Sequence, residues 1–290
     1  MGNDDKIFFD PLLPYEDMRV PDKVLRSVVF LGMKNGDTQP RLAGTGFFVA
    51  VPTVNFHGLH HTYLVTAKHV YVKMKEAVEK GHAVFARQNL RNGNFYDTDL
   101  KDMSSWLFHP TESDRVDVAV RRAAIHENTV EDIPIIIDTF LSHKQLRAKG
   151  IGIGDEIFCP GLFHPVPGEK KKLPIVRVGN VAMMPEGREV YSPEFAGKIE
   201  AYLIESRSIK GLSGSPVFVR PSDDRFYGFG LISGHYDVKK QPDINNLLLD
   251  DEGLLNTGIS IVTPAGKIIE TLMQPELQKA RQEMEQNSFE

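Results

Sequence analysis

Apolar residues in this chain fall mainly in short β-branched and aromatic runs, each bounded by Gly, Pro, Asn or Asp. Residues 27 to 32 (SVVFLG), 45 to 51 (TGFFVAV), 62 to 66 (TYLVT), 82 to 87 (HAVFAR) and 116 to 120 (VDVAV) make one group of predicted strands. A second group follows at 153 to 159, 174 to 182, 200 to 204, 215 to 219, 226 to 232 and 257 to 262, with the boundary between groups near 125 to 150. Helical spacing is confined to two places. Val70, Met74, Ala77 and Val78 share one helix face ahead of Gly81, a C-terminal cap. Near the end, Thr263 is placed to cap a helix that has Pro264 at its first position and Ile268, Ile269 and Leu272 as its apolar stripe. Pro275 restarts or kinks that helix, and the charged tail through Glu290 either continues it or frays. Two strand groups with one terminal helix predict a mainly β fold of two packed antiparallel barrels.

Composition narrows the function. At 290 residues, with 41% hydrophobic and 25% charged, the chain has material for one large domain or two smaller ones. Lys and Arg number 34 against 39 Asp and Glu, a net 34 − 39 = −5, which argues against a dedicated nucleic-acid binder. No apolar run approaches the roughly 18 residues of a membrane span, and the opening stretch is too broken by Asp, Glu, Pro and Lys for a secretory leader. Cys159 is the single cysteine, so no internal disulfide forms, and a reducing, cytoplasmic setting is expected. Cys159 itself reads as a small buried hydrophobe. Lys170, Lys171 and Lys172 sit in a Pro- and Gly-containing stretch and are expected on a solvated hairpin loop. His57, His60 and His61 have no Cys or HExxH context and are expected at an exposed hairpin tip, not around zinc. Asp250, Asp251 and Glu252 lack the alternation of a calcium loop and read as a solvated turn. No metal or cofactor is expected.

Three strings carry chemistry. His69 stands in TAKHV at a strand-to-helix junction, Asp117 opens the apolar run VDVAV, and Ser213 lies in the Gly-rich turn GLSGSP before another strand. Asp114, three residues before Asp117, lies in the polar loop TESDR and is the weaker candidate. A serine hydroxyl is a poor nucleophile at neutral pH. It needs an imidazole to take its proton, and the imidazole needs an acceptor at its other nitrogen. Gly211 and Gly214 permit a sharp turn that aims the N–H groups of Gly211 and Ser213 at one point, where an oxyanion would form.

With these strings the sequence resembles the chymotrypsin/trypsin-like serine proteases over roughly residues 25 to 275. VTAKHV, DVAV and GLSGSP are similar to that family's TAAH, D-I-A-L and G-D-S-G-G-P boxes, in the same order. Their separations are 117 − 69 = 48 and 213 − 117 = 96, and GTGFFV at 44 to 49 resembles the strand before the histidine hairpin. The resemblance implies two six-stranded antiparallel barrels with a C-terminal helix. The implied division is an N-terminal extension over 1–25, a first barrel with His and Asp over 26–140, a second barrel with Ser over 141–262, and a helix and tail over 263–290. It implies His69 as general base then acid, Asp117 as its orienter and Ser213 as nucleophile. It further implies a substrate site with Arg207 at the pocket floor, Ser208 beside it among the substrate-binding residues, and Ser233, Gly234 and His235 lining the pocket on a strand that pairs its main chain with an extended peptide. Leu212 departs from the pattern, because many secreted members carry an Asp there that pairs with a new N-terminus. The branch implied is the intracellular bacterial or viral one, which lacks disulfides. The implied activity is serine endopeptidase action on protein or peptide substrates. The alternative is an inactive scaffold that binds proteins, and a regulatory protein partner would use the ends or loops.

Overall fold

A computed structural model describes residues 20–287 except 37, 57, 127, 185–188, 194, 207–210, 222–224 and 240–253. After a short helix α1 (Asp22–Arg26), the first half contains β1 (Val28–Lys34), β2 (Arg41–Pro52), β3 (His60–Thr66), β4 (Ala83–Asn89), β5 (Phe95–Asp99), β6 (Trp106–Phe108), β7 (Ala119–Arg122) and β8 (Ile135–Ile136). Helix α2 (Lys68–Glu79) leaves β3, and Gly81 at φ +79° follows its end, as the sequence predicts. The sheet runs β5-β4-β1-β2-β3-β7-β6, with β8 parallel to β2. Tyr96 and Thr98 of β5 face the same cavity of about 470 Å³ as Arg121 of β7, so the sheet curls although its two ends do not pair among the described residues. This half therefore has eight strands where six were expected. β5 escaped the sequence pattern because its acids are tolerated at an edge. Asp97 lies opposite Arg87, which binds both its carboxylate oxygens at 2.8 Å and stacks over Phe95.

The second half, after helix α3 (His143–Ala148), is a closed six-stranded antiparallel barrel. Its strands are β9 (Glu156–Gly161), β10 (Ile175–Met183), β13 (Tyr202–Glu205), β14 (Pro216–Arg220), β15 (Tyr227–Lys239) and β16 (Leu254–Pro264), with β9 pairing β10 to close the circle. β11 (Val190–Ser192) and β12 (Gly197–Ile199) form a separate ribbon. A mainly β molecule with a closed barrel, a second curled sheet and C-terminal helices is the architecture that the motif resemblance implies.

The halves share a core. Phe47 stacks on Phe140 at 5.9 Å between ring centroids, Phe140 meets Phe218 at 6.2 Å, and Phe218 stacks on Phe158 at 5.3 Å. Each buried ring of this kind contributes about 2–3 kcal/mol by transfer from water, and each ring pair about 1 kcal/mol more. A second tie runs through the loop between β9 and β10, and it corrects the expectation of a solvated lysine run. Lys172 is buried and pairs with buried Asp132 at 2.7 Å, while its backbone exchanges hydrogen bonds with the Asn89 side chain. Lys171 is half-buried beside Glu131. Burial pushes the Asp132 carboxyl above its ordinary range and outweighs the opposing charge and hydrogen bond of Lys172.

The C-terminus is helical and docked. α4 (Ala265–Leu272) starts after Pro264, which is its cap residue; Thr263 belongs to β16 and makes no cap hydrogen bond, contrary to expectation. α5 (Pro275–Asn287) follows and packs on the first half. Arg281 is buried and donates to Tyr63 Oη at 3.0 Å and to the Leu272 carbonyl at 2.9 Å. Glu285 meets His61 Nε2 at 3.1 Å and accepts the Asn55 N–H at 3.0 Å. His61 is thus buried under α5, not exposed at a hairpin tip. His57 and residues 250–252 lie outside the described residues. Among the described residues no helix is long and apolar enough to cross a membrane.

Candidate functional site

β3 pairs antiparallel with β7, with Thr66 opposite Ala119, and this register sets the residues after β3 beside those before β7. His69 is the second residue of α2 and Asp117 lies two residues ahead of β7, so the pairing brings them together. The first turn of a helix has backbone N–H groups with no partner inside the helix, and Ala67 at the cap supplies no side-chain acceptor. Asp117 supplies it from across the sheet. Its Oδ1 accepts the His69 N–H at 2.9 Å, and its Oδ2 accepts from His69 Nδ1 at 2.8 Å and from Ser233 Oγ at 2.5 Å. One carboxylate therefore fixes the helix start and the imbidazole ring that it carries.

Asp117 is 0% exposed and the His69 side chain 12%. Burial alone would drive the Asp117 carboxyl up. The charge of His69, followed by the hydrogen bonds from the His69 ring, Ser233 and the His69 backbone, outweighs burial and holds it below the ordinary value. The group stays ionised next to the imidazole.

Ser213 sits in the turn before β14, between Gly211 at φ +108° and Gly214 at φ +83°. A Cβ on Gly214 would lie 2.2 Å from the Thr45 carbonyl oxygen and 2.4 Å from Thr66 Oγ1, so only glycine lets this turn rest on β2 and on the junction that leads into His69. Thr45 holds the arrangement. Its N–H donates to the Ser213 carbonyl at 2.9 Å, its Oγ1 donates to the Gly211 carbonyl at 2.6 Å, and its own carbonyl accepts from Thr66 Oγ1 at 2.7 Å. Val70, next to His69, and the Ser213 carbonyl flank the same face of Gly44. The turn of Ser213 and the start of α2 are thereby packed on one stretch of β2. Ser213 itself is half-buried and opens on a cavity of about 550 Å³. Among the described residues neither the Gly211 nor the Ser213 N–H is taken up by a backbone hydrogen bond.

Leu212 is fully buried against Gly161, where a Cβ would come 2.7 Å from its Cδ2, so apolar packing and Thr45 order this turn. Nothing adjacent to Thr45 in the chain marks it as a turn anchor. The GTGFFV string was its only signal, since the contacts it makes are between halves distant in the chain.

The implied substrate residues fare unevenly. Arg207 and Ser208 lie outside the described residues. Ser233 lies on β15 with its side chain buried and donating to Asp117, so any contact it makes with a peptide would come from its main chain. Gly234 and His235 lie on β15 opposite Ile261 and Ser260 of β16, and β14 pairs with β15 only as far as Leu231. His235 lines the same cavity as Ser213, with its ring held by Asp237 at 3.0 Å. Cys159 is buried, and burial pushes its thiol up to about 11, which leaves it unreactive at neutral pH.

One group of metal-type ligands occurs among the described residues, His109 with Glu112 and Glu270. A cation already serves them. Lys267 Nζ lies 2.5 Å from Glu112 Oε2 and 3.3 Å from Glu270 Oε2. Burial opposes the Lys267 charge, but the two glutamates outweigh it and hold its pKa above the ordinary value. The cluster is an ion-pair network that ties α4 to the loop before Asp117.

No protein-family model matches the sequence, and no curated protein does. Among solved structures the chain is similar to Deg5, at 15% identity over 86% of this chain and 88% of that one, with a TM-score of 0.48. It is also similar to human heparin binding protein, at 10% identity over 86% of this chain and 91% of that one, with a TM-score of 0.47.

Proposed function

We propose that the protein is a serine endopeptidase that cleaves peptide bonds through an acyl-enzyme on Ser213. The observation that carries this reading is the buried, ionised Asp117 bound to His69 Nδ1, on a helix start packed beside the glycine turn of Ser213. With Asp117 accepting at Nδ1, the neutral imidazole carries its proton there and offers Nε2 as a base. His69 takes the Ser213 hydroxyl proton while Oγ bonds to the substrate carbonyl carbon. The resulting oxyanion is met by the Gly211 and Ser213 N–H groups, each such donor supplying about 3–4 kcal/mol in the transition state. Collapse breaks the C–N bond, and the leaving amine takes the proton from His69. Water then attacks the ester by the same route and frees the acid and Ser213.

The test is cleavage of a diverse peptide library by the native protein and by Ser213→Ala. Products from the first and none from the second support the reading. A folded native protein that cleaves nothing supports the inactive, peptide-binding scaffold instead.

A further inference from the structure

The cavity that opens at Ser213 has a charge opposite to that of the chain. Several elements wall it besides the Ser213 turn and His235. Arg41 and Leu42 come from the start of β2, His164 from the loop after β9, and Lys73, Glu76, Ala77 and Lys80 from α2 and its cap. The last four residues stand at helix positions i, i+3, i+4 and i+7, so one face of α2 points its polar groups into the cavity. Counting the permanently charged lining residues gives Arg41, Lys73 and Lys80 against Glu76, or 3 − 1 = +2, in a protein whose net charge is −5. Arg41, Lys73, Glu76 and Lys80 are exposed, and no ion pair joins them to one another among the described residues. The lysines therefore present their charge to the cavity, where clustered charge of one sign raises the local concentration of opposite charge.

Resting on the endopeptidase reading of this site, we propose that its substrates are acidic peptide segments. Asp or Glu residues close to the scissile bond enter the cavity between β2 and α2 and meet Lys73, Lys80 and Arg41. Glu76 offsets part of the positive field. Because the cations are exposed, each contact is worth at most about fivefold in affinity, and the preference is lost in high salt.

The experiment pairs two measurements on fluorescent peptides of one length, with two Glu or two Lys flanking a shared cleavable core. Native protein reports kcat/KM, and Ser213→Ala reports binding by anisotropy. The proposal expects the Glu peptide to be favoured by about fivefold to twentyfold in both. The double charge reversal Lys73→Glu/Lys80→Glu inverts the ratio, and Glu76→Gln raises it. Equal binding of the two peptides, or a ratio that the reversal leaves unmoved, overturns the proposal even if cleavage proceeds. Lysine-dependent binding of the Glu peptide by Ser213→Ala without cleavage by native protein sustains the acidic-segment proposal and defeats the endopeptidase reading.

Discussion

Ser233 Oγ donates to Asp117 Oδ2 at 2.5 Å, so a residue of the second barrel completes the hydrogen bonding of a carboxylate that belongs to the first half. Neither partner reaches solvent, with Ser233 1% and Asp117 0% exposed. The bond fixes the two halves in register at the point where His69 must be oriented. Replacing Ser233 by Ala removes one of three donors from a buried charge. We expect kcat to fall about tenfold with KM little changed, because the backbone of β15 is kept. A Ser233→Ala enzyme with native kcat would show that this hydrogen bond has no part in orienting the imidazole.

Thr45 anchors the turn that carries Ser213, and on the proposed function it would be a positioning residue. Its Oγ1 donates to the Gly211 carbonyl at 2.6 Å and accepts the Leu162 N–H at 3.0 Å. Thr45→Val keeps the shape and strands both buried partners, at a cost of about 2 kcal/mol or more in urea unfolding. Turnover should fall further than stability alone explains, measured well below the unfolding midpoint. Native turnover in a destabilised Thr45→Val protein would contradict the positioning role.

The low pKa of Asp117 has a stability consequence with a definite sign. Its folded value lies below its unfolded one, near 3.9 for a free side chain, so its ionised contacts contribute fully above about pH 4. As pH falls through the folded value that contribution disappears. The difference in urea midpoint between native protein and Asp117→Asn should be constant from about pH 5 to 7 and shrink below pH 4. A difference that grows on acidification would refute the ionised assignment. At neutral pH the same variant should lose about 10⁴-fold in turnover, the magnitude known for the serine protease template, through the wrong imidazole tautomer.

Lys172 and Asp132 form a buried pair in which burial works against the acid. Removing only the lysine leaves a carboxylate with no counter-charge, and Lys172→Met should cost about 3–5 kcal/mol at pH 7. Because Asp132 protonates readily when buried, part of this loss should return near pH 4. Lys172→Met/Asp132→Leu should recover most of the stability. Equal destabilisation by the single and double variants would show that packing, not charge, sets the cost.

Much of the site was legible in the chain because each catalytic candidate ends or begins an apolar run. His69 follows TYLVT and Asp117 precedes Ala119–Arg122, so the pairing of β3 with β7 sets their neighbourhood, while Ser213 precedes Pro216–Arg220 and reaches them through Thr45 and the packing of Gly214. Residues whose meaning lies in cross-chain contacts were not legible. Nothing local to Ser233 signals its side-chain partner, which is 116 positions away. Lys172 looked like loop decoration because nothing local signals Asp132, and His61 looked exposed because α5 covers it from the far end of the sequence. β5 was hidden by its acids, which alternation rules assign to loops unless the facing Arg87 is known.

The central claim is that Ser213 is a nucleophile activated by His69 within one groove. Labelling with a fluorophosphonate, followed by mass-spectrometric mapping of the adduct, tests it most directly. We predict a single adduct on Ser213 in the native protein, abolished in Ser213→Ala and reduced by several orders of magnitude in His69→Ala. Folded native protein that takes up no label, or a label carried elsewhere and unchanged in both variants, would contradict it.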